Sequence, residues 1–171
     1  EQTGAGVAAC VREAGIGFCF APMFHPAFRF AGPPRRELGV PTAFNLLGPM
    51  ANPGRVKRQL IGVAEPRFAH PMVTALARQG LTNAWVVHGD GMDELTTSAV
   101  SQVLTLDHGT ITEHVVDPAA LGFAPASSAD LRGGDPQENA LAVRRVLAGE
   151  FGAHRDIVIL NAGAALVVAG L

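Results

Sequence analysis

The chain has 171 residues, of which 48% are hydrophobic and only 16% charged, enough apolar material for one buried core of single-domain size. Its formal net charge is −2 and Lys57 is its sole lysine, which gives no basic field to attract a polyanion and argues against nucleic-acid binding. Cys10 and Cys19 have neither a second pair nor a metal or redox spacing, and no uncharged apolar run reaches membrane-spanning length, so a soluble, cytoplasmic protein with reduced thiols is expected.

In chain order, Val7, Cys10, Val11 and Ala14 share one face of a helix over residues 5–14, which Gly15 can stop. The opening directly into a helix and the apolar ending at Leu166–Leu171 read as a piece of something longer. Ile16–Phe20 reads as a buried strand. Pro22, Pro26, Pro33, Pro34, Pro41, Pro49 and Pro53 then punctuate a loop-rich stretch with room for short helices at Ala27–Ala31 and Arg35–Leu38.

Gln59–Ala64 predicts a strand, Phe68–Gln79 an amphipathic helix stopped by Gly80, and Asn83–His88 another strand. That order is a βαβ unit with a right-handed crossover. Alternating branched residues between Ser98 and Val116, broken at Asp107-His108-Gly109, predict an antiparallel hairpin. Residues 122–134 form the one extended loop. Asp135 suits the N-cap of a helix over Pro136–Ala148, with the preceding Gly133-Gly134 as its entry turn. Asp156–Leu160 reads as a last buried strand, with a small-residue helix from Ala162. Together these elements predict an α/β fold: a predominantly parallel sheet flanked by helices, with an antiparallel hairpin.

The run His88-Gly89-Asp90-Gly91-Met92-Asp93-Glu94-Leu95-Thr96-Thr97 is the most informative feature. It places adjacent carboxylates just after a strand, where ligands collect in open α/β sheets. Mg²⁺ is commonly held by one or two carboxylates together with water and substrate phosphates. From the residues alone, a solvated acidic turn is the commoner reading of such a sequence.

Four runs in one order carry a resemblance: Phe20-Ala21-Pro22-Met23-Phe24-His25-Pro26-Ala27, Arg35-Arg36-Glu37-Leu38-Gly39-Val40, Phe44-Asn45-Leu46-Leu47-Gly48-Pro49 with Asn52-Pro53, and His88-Gly89 through Asp93-Glu94-Leu95-Thr96. Over nearly the whole chain it resembles the anthranilate phosphoribosyltransferase family, in the structural group of the pyrimidine nucleoside phosphorylases. The resemblance implies transfer of the phosphoribosyl group of phosphoribosyl pyrophosphate to anthranilate, in tryptophan biosynthesis. It also implies a homodimer formed through a helical N-terminal domain, an active site between that domain and a larger α/β domain, and Mg²⁺ as cofactor. Residues 1–171 correspond to part of the α/β domain. The family's glycine-rich pyrophosphate loop and Lys-His-Gly-Asn segment are not among them, so the piece alone is expected to be inactive.

By the same resemblance Asp93 and Glu94 hold the Mg²⁺, and Arg35 binds the anthranilate carboxylate through its planar fork, with Arg36 as its confounder. Pro22, His25 and Phe28 line the acceptor's route. For Phe28 ordinary core packing, and for His25 a loop-satisfying role, stand as equal readings. Asn45 and Asn52 bracket a Gly-Pro turn whose backbone they can satisfy, and His88 supports the loop rather than moving protons. Pro41 and Phe30 stand where relatives often carry arginine and histidine, which lowers the basicity around the acceptor. The alternatives are a pyrimidine nucleoside phosphorylase and a non-catalytic nucleic-acid-binding relative, whose only local support is Arg55-Val56-Lys57-Arg58.

Overall fold

A computed structural model describes residues 3–40 and 42–171; Pro41 lies outside the described residues. The chain divides into two compact units, Glu1–Arg55 and Val56–Leu171. The first is helical. Helix α1 (Gly4–Ala14) starts on Thr3, whose hydroxyl accepts a hydrogen bond from the Gly6 amide at 3.1 Å, and ends on Gly15 in the left-handed conformation. Helix α2 (Ala21–Phe24) carries Pro22 in its first turn, where the missing N–H would have had no intrahelical partner. A 3₁₀ turn over Pro26–Phe30 follows, then α3 (Gly32–Leu38) and α4 (Phe44–Met50).

Two expectations for this unit are corrected. Residues 16–20 form no strand: among the described residues nothing pairs with them, and Ile16 and Phe18 are exposed. A β-rich run becomes a strand only where a neighbour completes its ladder. Conversely, residues 44–50 are helical although Pro49 suggested a loop. Pro49 sits in the last turn, where it costs one hydrogen bond, and the Ala51 amide closes the helix onto Leu47 at 3.0 Å.

The second unit is built on a sheet in the order β1 (Arg58–Gly62), β2 (Asn83–His88), β3 (Ser101–Asp107), β4 (Thr110–Val116). Helix α5 (Ala69–Arg78) connects β1 to β2, which run parallel as the βαβ pattern requires. The other two pairings are antiparallel, so the sheet is mixed rather than predominantly parallel. Its parallel share is small because Asp156–Leu160, expected as a strand, lies inside helix α7 (Ala153–Ala169). Ile157, Leu160, Ala164 and Val168 are its buried residues, a helical stripe. The β3–β4 hairpin turns through His108 and Gly109, at φ 45° and 90°, the two positive values a type I′ turn needs. Helix α6 (Pro136–Leu147) begins with a full capping box between Asp135 and Glu138, as its Asp N-cap predicts, and the loop before it is extended.

Period-two alternation sends Val87 and Val103 to one face of the sheet, where Leu95, Leu160 and Ala164 complete a buried cluster. Met72, Val73 and Leu76 are the buried residues of α5, which packs on β2 and β3. Val86 and Leu104 are buried on the face opposite to Val87 and Val103. The Arg58 guanidinium donates to the Ala169 carbonyl, tying the start of β1 to the end of α7.

Candidate functional site

The acidic run leaves β2 through a narrow turn. Gly89 and Met92 exchange backbone hydrogen bonds of 3.1 and 2.9 Å, so Asp90 and Gly91 form a two-residue hairpin, both at positive φ. Two glycines then shape the path of the acidic pair. A Cβ on Gly62 would overlap the backbone carbonyl of Asp93, and one on Gly89 would lie 2.6 Å from the Glu94 carbonyl. The end of β1 and the end of β2 thus each leave a side-chain-sized gap that the backbone of the acidic pair fills.

The three acids of the run differ in what they do. Asp90 accepts a hydrogen bond from Ser98 Oγ at 3.1 Å and belongs to the turn's own bonding, continued by Thr96 and Ser98 hydroxyls 2.7 Å apart. Asp93 and Glu94 are exposed and, among the described residues, accept no side-chain hydrogen bond. Although the Glu94 side chain reaches solvent, the protein around its carboxyl removes part of its hydration, and this desolvation, followed by the negative charge of Asp93, pushes the carboxyl above its ordinary value. A cation between them would relieve both penalties.

The donor set also limits which cation. Among the described residues no group of three or more His, Cys, Asp or Glu comes together, so a borderline or soft metal has no closed site. Two hard carboxylates fit an ion that takes its remaining ligands from water and phosphate, which is the habit of Mg²⁺. His88, at the end of β2, hydrogen-bonds through Nδ1 to the carbonyl of Val63, the residue after β1, at 2.9 Å.

In the first unit, three of the four residues expected to meet an aromatic acceptor, His25, Phe28 and Arg35, form a row connected through Phe44, and Pro22 lies outside it. His25 stacks on Phe28 with ring centroids 5.0 Å apart, Phe28 meets Phe44 edge-on at 5.4 Å, and the Arg35 guanidinium lies 5.7 Å from the Phe44 centroid. Arg35 Nη2 donates to Asn45 Oδ1 at 3.1 Å, and the same oxygen accepts from the Thr42 amide at 3.0 Å. Asn45 therefore satisfies loop backbone and also holds the arginine. Asn52 has only the first duty, accepting from the Gly54 amide at 2.8 Å. Arg35, Arg36, Gly39, Val40, Asn45 and Gly32 line an open hollow of about 480 Å³. Pro22 is exposed on α2, and Phe30 is exposed with the Arg29 guanidinium 4.7 Å over its ring.

Sequence reasoning missed Phe44, which links the row, and Asn161 of α7, whose amide bonds both backbone groups of Leu95 next to the acidic pair. Phe44 was readable as the first residue of a motif run; Asn161 was hidden by the misplaced strand. A larger cavity of about 660 Å³ between α6 and α7 contains none of the expected residues, and Arg145 and Arg155 at its edge already pair with Glu150 and Asp156. In the basic run at residues 55–58, Lys57 donates to the Gly80 carbonyl at 3.1 Å and Arg58 to the Ala169 carbonyl.

A mixed sheet carrying an acidic turn at the end of its second strand, and a helical unit presenting an arginine and an aromatic row, describe a phosphoribosyltransferase-like α/β protein. The chain belongs to the glycosyl transferase family, a/b domain, whose profile matches residues 1–171. It is 51% identical over 164 residues to the anthranilate phosphoribosyltransferase of Chelativorans sp. (strain BNC1), covering 96% of this chain and 48% of that protein. It is 52% identical over 160 residues to the enzyme of the same name from Brucella canis, covering 94% and 47%. Among solved structures, anthranilate phosphoribosyltransferase from Thermus thermophilus superposes with a TM-score of 0.87 at 42% identity, over 96% of this chain and 49% of that one. The Saccharomyces cerevisiae enzyme in complex with 4-fluoroanthranilate gives 0.89 at 23% identity over 99% and 50%, a likeness of fold. The chain spans about half the length of these relatives.

Proposed function

We propose that this chain serves the transfer of the phosphoribosyl group from phosphoribosyl pyrophosphate to anthranilate, giving N-(5-phosphoribosyl)anthranilate and pyrophosphate in tryptophan biosynthesis. The observation that carries the reading is the acidic pair: two carboxylates that, among the described residues, accept no side-chain hydrogen bond, with their backbone fixed at a strand end against Gly62 and Gly89. Relatives at about half identity bear the name of this enzyme and support the same reaction. We assign residues 1–171 to part of the α/β domain and the glycine-rich pyrophosphate loop to the other half of the full-length protein. Asp93 and Glu94 then supply one side of the phosphate grip and that loop the other.

In the transfer, the bond from C1 of the ribosyl group to pyrophosphate oxygen breaks with its electron pair leaving on pyrophosphate. The anthranilate nitrogen then bonds C1 and gives up a proton. Asp93 and Glu94 would hold Mg²⁺, which supplies positive charge where the leaving diphosphate gains negative charge. Arg35 presents two N–H groups to the anthranilate carboxylate while Asn45 fixes the guanidinium's orientation. Phe28, packed against His25 and Phe44, offers an apolar edge to the flat ring, and Pro22 borders the same route on α2. We further propose a cytoplasmic homodimer, to be checked by light scattering of the full-length protein.

The test follows anthranilate fluorescence in the full-length protein carrying this sequence. Loss of signal only when phosphoribosyl pyrophosphate and Mg²⁺ are both present supports the reading. Metal-independent turnover, or a double variant Asp93→Asn, Glu94→Gln with unchanged kinetics, overturns the metal assignment. Phosphorolysis of a pyrimidine nucleoside in place of anthranilate consumption overturns the reaction.

A further inference from the structure

We infer that Asn161 is a positioning residue for the cation-holding turn, an inference that rests on the assignment of Asp93 and Glu94 proposed above. Asn161 lies 66 residues away in sequence, on α7, yet its side chain makes a two-point match to the backbone of Leu95. The Leu95 amide donates to Asn161 Oδ1 at 3.0 Å, and Asn161 Nδ2 donates to the Leu95 carbonyl at 2.8 Å. Nδ2 has a second proton, which goes to the Ile157 carbonyl one helical turn back, at 3.0 Å. Both donor protons and the acceptor are thereby used, so the carboxamide has one orientation.

The consequence falls on Glu94. Leu95 is 1% exposed, with its side chain in the cluster that includes Leu160 and Ala164, and it immediately follows the acidic pair. Leu95 belongs to no strand, so Asn161 replaces the ladder that would otherwise hold its amide and carbonyl. The segment is thus fastened at both ends: Met92 to Gly89 by backbone bonds on one side, Leu95 to Asn161 on the other, with the Asp93 carbonyl laid against Gly62 between them. Asp93 and Glu94 hang from a backbone with little freedom to turn. Mutually repelling carboxylates would otherwise splay apart, and the orientation that presents both to one cation would be lost.

The chemistry also says why the residue is asparagine. Aspartate keeps an acceptor for the Leu95 amide but sets a negative charge against two carbonyls, and leucine keeps the volume while making neither bond. A purely structural role predicts that any equal loss of stability in α7 has the same effect on the turn; a positioning role does not.

The experiment is Mn²⁺ binding, read by the electron paramagnetic resonance signal of the free ion, with inorganic pyrophosphate present, in the full-length protein. Asn161→Ala and Asn161→Leu are expected to weaken Mn²⁺ binding about tenfold or more, the range typical for partners that orient metal-binding groups. Val168→Ala, which loosens the same helix at a buried position outside the Leu95 cluster, should stay within about twofold of the parent, as for a site that shares no partner with the turn. In steady-state kinetics the Asn161 variants should raise the Mg²⁺ requirement more than the anthranilate KM. Equal Mn²⁺ affinity in parent and Asn161 variants, or equal weakening by Val168→Ala, overturns the inference while leaving the acidic pair in place. A parent protein that binds no Mn²⁺ overturns the assignment of the pair and this inference with it. Should the Asn161 variants fail to fold, hydrogen exchange in the parent decides: a Leu95 amide as protected as those of β2 supports the clamp, and a rapidly exchanging one overturns it.

Discussion

Arg35 and Glu94, the anthranilate-binding and cation-holding groups of the proposal above, are each conditioned by a neighbour, Asn45 in the first case and Asp93 in the second. Arg35 spends one N–H on Asn45, which aligns the guanidinium and leaves the rest of the fork for a ligand carboxylate. Arg35→Ala should therefore raise the anthranilate KM by about tenfold to a hundredfold, the worth of a charge-assisted pair, with a smaller effect on kcat. Arg35→Lys should recover only part of it, because a lysine can neither fork nor sit flat beside Phe44; steady-state kinetics in the full-length protein checks both. Glu94 behaves oppositely with respect to stability. Folding raises its carboxyl above the ordinary value of 4.5, through partial burial and then the charge of Asp93. An acid raised in this way contributes stability that is complete below its unfolded value and is lost as pH rises through its folded value. At neutral pH and without cation, Glu94→Gln should hence raise the Tm, with the difference from the parent closing as pH falls below 4.5. The same variant should lose the further Tm rise that Mg²⁺ with pyrophosphate gives the parent. Thermal scans across pH, with and without the cation, read both effects.

At the level of elements, α7 carries more of the design than its sequence advertises. It covers one face of the sheet with Leu160 and Ala164 and reaches the acidic turn with Asn161. Leu160→Ala should cost about 2–5 kcal/mol, as for other buried leucines, whereas Asp135→Ala at the exposed start of α6 should cost about 1 kcal/mol through loss of its cap. Urea unfolding monitored at Trp85, which packs against the Leu160 cluster, separates the two. The same contrast explains what could be read in advance. Asp135 announces its helix by local chemistry, as do the β3–β4 turn and the βαβ order of β1, α5 and β2. Ile157-Val158-Ile159-Leu160 does not: four apolar residues suit a buried strand as well as a helix, and only Ala164 and Val168 further on reveal the helical stripe. Ile16–Phe20 fails for the complementary reason, since pairing partners are not local information. The candidate site divides along the same line. Arg35, Asp93 and Glu94 stand out by type and context, and Asn45 by its turn, whereas Asn161 serves a residue 66 positions away and gives no local sign of it.

Across the whole molecule the two units differ in how they are held. Residues 56–171 contain a four-stranded sheet with buried side chains on both faces, from Val86 and Leu104 on one to Val87 and Val103 on the other. In the described part of residues 1–55, Val7 is the one buried hydrophobic residue, still 9% exposed, while Phe18, Phe30, Leu38 and Val40 stay exposed. Short helices joined by proline-rich turns gain little from their own cooperativity, because each nucleus costs more than a few hydrogen bonds return. Opening free energies should follow that division. Amide hydrogen exchange is expected to be slowest at Ala84–Val87 and Val103–Leu106, and faster by at least about tenfold across α2, α3 and α4, a difference of about 1.4 kcal/mol in opening. If Arg35 binds anthranilate as proposed, the ligand should act unevenly, slowing exchange around Arg35 and Asn45 with little effect on the central strands. Uniform protection across both units would mean that one cooperative core, and not two, governs the molecule's opening.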